Sequence, residues 1–221
     1  MTIRCAEDMI LLTEKWGFLP LFRNKIPGFS VEEHTPAELW FTDIDGPWEW
    51  KGPCARSQRC LYGKFFGGRA GFVSTEWFAD FANYRRDGFD FDSRYDCGMA
   101  SHKDMNIYGT VDRYGTLLSK KLKSLCGFTK AGGEKGFDGA ITRLQMQTYI
   151  CIADFEYMVD KYGRQYGWGV ARYSTPENLF GYEFATSAYS REPKDSMQKI
   201  AEHLKKVFPD VSEQNIIGII K

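Results

Sequence analysis

The chain has 221 residues, its 29 Lys plus Arg match its 29 Asp plus Glu, and 43% of it is hydrophobic and 16% aromatic. That length builds a sizeable core without disulfide staples, and the balance excludes global disorder, which needs few apolar residues and a strong net charge. No run of about 18 apolar residues exists to span a membrane, and Glu7, Asp8 and Glu14 interrupt the apolar start in a way no secretory signal would. The expectation is a cytoplasmic protein with no membrane partner, a monomer or weak dimer.

Cysteines at 5, 54, 60, 97, 126 and 151 form no C-x-x-C pair, and His34, His102 and His203 stand apart. The pattern predicts reduced, buried thiols, no metal and no cofactor.

In chain order, Met9, Leu12 and Trp16 mark an amphipathic helix over about 5–16. Thr35-Pro36 is a helix start, a hydroxyl cap followed by proline. WFTDIDGPWEWKGP, 40–53, reads as a Trp-rich loop, and 60–73 as a β-hairpin turning at Gly67-Gly68. Ser74-Thr75 caps a short helix with Phe78, Phe81 and Ala82 inward. The polar, glycine-punctuated stretch 85–100 reads as a loop and a boundary. A helix over about 102–114 carries Ile107, Val111 and Tyr114 on one face and stops at Gly115. Ser119 caps a second, with Leu118, Leu122 and Leu125, closed by Gly127. After the basic loop FTKAGGEKG, a third spans about 136–147 with Phe137, Ile141 and Leu144. TYICIADFEY and WGVARY are strands joined by the turn KYGRQYG. Thr175-Pro176, Glu192-Pro193 and Ser212 begin the last helices, the middle one reaching about 207 with Met197, Ile200, Leu204 and Val207 buried.

Three helices followed by a long hairpin is the order of a winged helix, in which the third helix reads DNA and the hairpin is the wing. The fold class is therefore α+β: an N-terminal helix-plus-hairpin lobe (1–100), a winged-helix domain (101–174) and C-terminal helices (175–221), leaving open a second winged-helix-like unit.

Charge is unevenly spread. Residues 1–50 hold four bases against nine acids, and residues 112–143 seven bases against three acids. A basic face suits a polyanion, although an ordinary solvated surface explains it as well. On the third helix, Asp138, Thr142 and Gln145 fall opposite the apolar stripe, and Arg143 and Gln147 form a second row. Arg and Gln make bidentate bonds to base edges. Lys120, Lys121 and Lys123 of the second helix, Lys130 and Lys135 of the loop, and Arg164 of the wing turn can neutralise phosphates. Asp154 and Glu156 would repel phosphates, so they face away from DNA or pair with Arg172.

Two places carry candidate chemistry. Gln145 and Gln147 flank Met146, and a pair of neutral amides can hold a water for attack on an already cationic leaving purine; a polar helix exit is the plain alternative. In the Trp-rich segment, Asp43, Asp45 and Glu49 lie among Trp40, Phe41, Trp48 and Trp50. Carboxylates beside indoles can serve as general acids, with Asp45 the candidate. Trp48, Trp50, Tyr62, Lys64 and Arg69 would line that cleft. The alternative is a loop that seals the core.

FFGGRAGF, RRDGFDFD, and TRLQMQTYICIADFEY with GWGVARYSTPE resemble the AlkZ-related bacterial proteins over most of the chain. That group is related to the winged-helix DNA glycosylases of the AlkZ/YcaQ type. The resemblance implies tandem winged helices and metal-independent release of bulky alkylpurines through a Q-Φ-Q or Q-Φ-D motif, whose residue types Gln145, Met146 and Gln147 match. In the glycosylases that motif lies near the N-terminus, after a Leu-Gly pair; here it follows the third helix of a much shorter chain. Three readings follow: a DNA glycosylase acting on alkylated purines, a non-catalytic DNA-binding protein such as a regulator or damage sensor, and a small-molecule hydrolase working from the Trp-rich cleft.

Overall fold

The 60–73 hairpin becomes the middle of a larger sheet. The computed structural model describes residues 1–40, 45–129, 131–163 and 165–221, with backbone only at 165–168. In order, the elements are α1 (Ala6–Trp16), β1 (Phe18–Pro20), α2 (Val31–His34), a 3-10 turn (Ala37–Leu39), α3 (Pro47–Arg56), β2 (Cys60–Phe66), β3 (Arg69–Ser74), α4 (Thr75–Arg86), α5 (Phe91–Asp96), α6 (His102–Tyr114), β4 (Thr116–Leu118), α7 (Ser119–Leu125), α8 (Phe137–Met146), β5 (Cys151–Val159), β6 (Gln165–Ser174), α9 (Pro176–Phe180), α10 (Tyr182–Thr186), α11 (Pro193–Val207) and α12 (Glu213–Ile220).

The strands form one six-stranded sheet in the order β1-β3-β2-β5-β6-β4, every pairing antiparallel. Both faces are covered around β1, β3, β2 and the start of β5, and the two-residue period assigns side chains to them. Cys60, Tyr62, Phe72 and Ile152 join a core built with α1, α3, α6, α7 and α8. Leu61, Phe65, Val73 and Cys151 join another with α4, α10, α11 and α12. Each large apolar side chain buried this way contributes about 1.5–3 kcal/mol. At the turn into β1, Gly17 has φ 78, and a Cβ there would lie 2.6 Å from the Trp77 ring, so only glycine fits.

Four expectations change. Residues 85–100 are not a loop. α4 runs to Arg86, Asp87 (φ 56) and Gly88 (φ 74) end it, and Asp90 caps α5 by accepting from the Ser93 N–H at 2.9 Å. The glycines mark helix ends rather than absent helices. The Trp-rich segment is helical from Pro47, because proline suits a first helical position and Glu49 accepts from the Gly46 N–H at 3.2 Å. Tyr114 (56% exposed) and Leu125 (41%) leave the buried stripes, lying at helix ends beyond the packed turns. Thr116–Leu118 is a strand, made so by its partners Ser174, Tyr173 and Arg172. Glu156 meets Arg172 at 2.8 Å as anticipated, while Asp154 pairs with Arg56.

Candidate nucleic-acid interface

α8 turns Phe137, Ala140, Ile141 and Leu144 inward, leaves Asp138 and Arg143 exposed, and holds Thr142, Met146 and Gln147 half-buried. Gln145 was expected on the outer face and is instead fully buried. Its Oε1 accepts from the Lys64 backbone N–H at 3.1 Å, and its Nε2 donates to the Ile141 carbonyl at 3.1 Å. The cause is the β2–β3 hairpin, which lies along this side of α8. Lys64 Nζ donates to Thr142 Oγ1 at 3.3 Å, and a Cβ on Gly68 would sit 3.5 Å from Thr142 Cγ2 and 3.8 Å from Met146 Sδ. Gln147 closes the helix, its backbone N–H donating to the Arg143 carbonyl at 2.9 Å. Two residues apart on a helix, the amides diverge by about 200° and share no water.

The expected phosphate contacts divide. Lys120, Lys121 and Lys135 are exposed. Lys123 is 3.0 Å from Asp138 and over the Phe137 ring. Arg143 forks onto buried Asp104 at 2.6 and 3.3 Å, and the same carboxylate accepts from Ser101 to cap α6. Lys103, 3.1 Å from Glu134, also donates to the Lys135 carbonyl at 3.0 Å and pins the basic loop. Lys130 and Arg164 lie outside the described residues. Lys64 is half-buried beside α8, and Arg69 is exposed at the hairpin turn.

The sequence reading missed Arg85. Its Nη2 donates to the Phe65 carbonyl at 2.6 Å and its Nη1 to the Met146 carbonyl at 3.2 Å, with the guanidinium over the Phe81 ring. It ties the hairpin to the end of α8. Burial pushes its pKa down to about 10, and no carboxylate pairs with it among the described residues. The signal was present: Arg85 continues the Phe78, Phe81 helical stripe by one further turn.

The Trp-rich segment is core. Trp50 (3% exposed) and Tyr62 (4%) are buried in the packed interior, so they line no cleft. Trp48 is half-buried and meets Trp40 edge-on at 5.8 Å. Lys51 Nζ lies 4.9 Å from the Trp48 ring and 4.5 Å from Phe155. Asp45 is exposed just before α3, outside the apolar enclosure a general acid needs. Phe41 and Asp43 lie outside the described residues. Burial raises the thiol of Cys54 and takes that of Cys60 up to about 12, which makes both poor nucleophiles. No cluster of three His, Cys, Asp or Glu suited to a metal occurs among the described residues, and no helix among them is long and apolar enough to cross a membrane.

A family model described as AlkZ related matches residues 3–221. No curated protein and no solved structure matches the chain. With the match running over nearly the whole length, the chain belongs to the AlkZ-related family.

Proposed function

We propose that this protein binds duplex DNA through residues 101–174 acting as a winged helix, set between an N-terminal lobe (1–100) and C-terminal helices (175–221), and that it does so without base excision at Gln145 and Gln147. The observation that carries the reading is the β4–β6 pairing, Leu118 opposite Arg172. It completes the order helix, strand, helix, helix, hairpin, with the first strand bound to the returning strand of the hairpin. In that arrangement α8 is the recognition helix. Arg143 is exposed near its middle with Thr142 half-buried beside it, and the exposed Lys120, Lys121 and Lys135 add positive charge from α7 and the loop before it.

The burial of Gln145 supports binding over catalysis. Each end of its amide is engaged within the protein and the side chain is fully buried, so it is withdrawn from any surface where an attacking water could be positioned. The protein then acts as a regulator or damage sensor rather than a glycosylase.

Fluorescence anisotropy of labelled duplex, plain and carrying an alkylated purine, tests this at about 50 and 200 mM salt. The expected result is salt-sensitive binding to both duplexes with no released base. Absence of binding at tens of micromolar protein in low salt overturns the DNA reading. Base release that disappears in the Gln145→Ala, Gln147→Ala double variant overturns the non-catalytic one.

A further inference from the structure

The cations around α8 are not equivalent. Lys123 and Arg143 already have carboxylates in Asp138 and Asp104. One turn further along the side of α8 that carries Asp138, where the β2–β3 hairpin rests on Thr142 and Gln145, Lys64, Arg69 and Arg85 have no carboxylate partner among the described residues. Arg85 donates from Nη1 and Nη2 to two carbonyls, which accept hydrogens without neutralising its charge, and its buried Nε has no partner among the described residues. In a chain with no net charge, this seam is a local excess of positive charge beside an exposed helix face. Lys64 spends one ammonium hydrogen on Thr142, and an ammonium has three. Gly67 and Gly68 keep the turn free of side chains, so a strand can pass close to it.

We propose that this seam holds a backbone phosphate of the bound duplex, with Lys64 as the direct contact and Arg69 adding charge at the turn. The proposal rests on the DNA reading above and assigns the β2–β3 hairpin, an element outside the winged-helix unit, to the same interface. The hydroxyl of Thr142 orients the Lys64 ammonium at the edge of α8. Arg85, beneath, holds the hairpin in place and leaves its own charge uncompensated.

The test compares the slope of log affinity against log salt for the full chain, Lys64→Gln, Lys64→Arg, and a Lys120→Gln, Lys121→Gln variant on α7, all on plain duplex. Loss of one phosphate contact lowers the slope by about 0.9. For Lys64→Gln, the affinity ratio between 50 and 200 mM salt is therefore expected to shrink about threefold, with an unchanged melting temperature. Lys64→Arg retains the parent slope. If Lys64→Gln binds like the parent while the α7 variant weakens, the seam is overturned and the DNA reading stands. If the parent itself does not bind, both are overturned.

Discussion

Arg85 and Arg86 are consecutive residues of α4 in opposite circumstances. Arg86 is 1% exposed, sits 2.5 Å from Glu177, hydrogen-bonds Tyr189 and both the hydroxyl and carbonyl of Thr148, and lies over the Tyr149 ring. Burial alone would lower its pKa, but Glu177 and Tyr189 more than reverse this and raise it. Arg85 has carbonyls and a ring but no carboxylate among the described residues, and burial lowers its pKa. The compensated arginine fastens α9 and the α10–α11 connection to the β5 entry; the uncompensated one underlies the surface assigned to DNA. Charge neutralised inside the fold serves cohesion, and charge left over is available to a partner.

The sharpest way to break this contrast is Arg86→Met. It strands the Glu177 carboxylate, whose Oε2 already has no partner among the described residues, and frees Thr148 from its hold at φ 63, a strained conformation for a β-branched residue. Breaking such a pair from one side costs about 4 kcal/mol, or a fall of about 12 °C in melting temperature. Removing Glu177 as well, as Leu, recovers part of the loss in a double-mutant cycle. A single-variant loss below about 1 kcal/mol would dissolve the distinction.

Asp80, one further charge on α4, sharpens it through pH. It is buried and accepts from Arg191, Ser196 and Lys199. Burial by itself raises its pKa, but those donors together bring it below the ordinary carboxylate value. The unfolded chain therefore binds this proton more tightly. The stability contributed by the carboxylate is fully present above the unfolded pKa of about 4 and fades as pH falls through the lowered folded value. Asp80→Asn is expected to cost about 2 kcal/mol at pH 7, and the gap to the parent in urea denaturation narrows toward pH 3. A gap that widens in acid would contradict the assignment. The smallest effect is expected from Arg85→Met, about 1 kcal/mol, since two lost hydrogen bonds are offset by relief of an uncompensated buried charge. A cost equal to that of Arg86→Met would erase the comparison.

Legibility in the sequence followed the range of the determining contacts. The 60–73 hairpin, the helices near 102–114 and 193–207, and the final helix capped by Ser212 all carry local caps and periodicity, and all are present. β4 could not be read locally, because three residues between Gly115 and Ser119 become a strand only through pairing with Arg172–Ser174. α3 was hidden by its prolines and glycine. Gln145 showed the limit most clearly. Its position on α8 marked it as exposed, and only a hairpin some 80 residues earlier buries it. Of the candidate site, Lys64, Thr142 and Gln145 were named, but their mutual contact was not; Arg85 was lost with the supposed loop.

The two outermost strands, β1 and β4, are three residues long, and β1 ends in Pro20. The long strands β2, β5 and β6 are all interior to the sheet. Those short strands do not close the sheet's borders, however: β4 pairs β6 only at Arg172–Ser174 and β2 meets β5 at Tyr62 opposite Ile152, so residues 154–159 of β5 on one side and 165–171 of β6 on the other have no further neighbouring strand among the described residues. Protection against edge-to-edge pairing therefore holds at β1 and β4 themselves and not along the projecting β5–β6 arm, where Met158 and Val159 are also exposed.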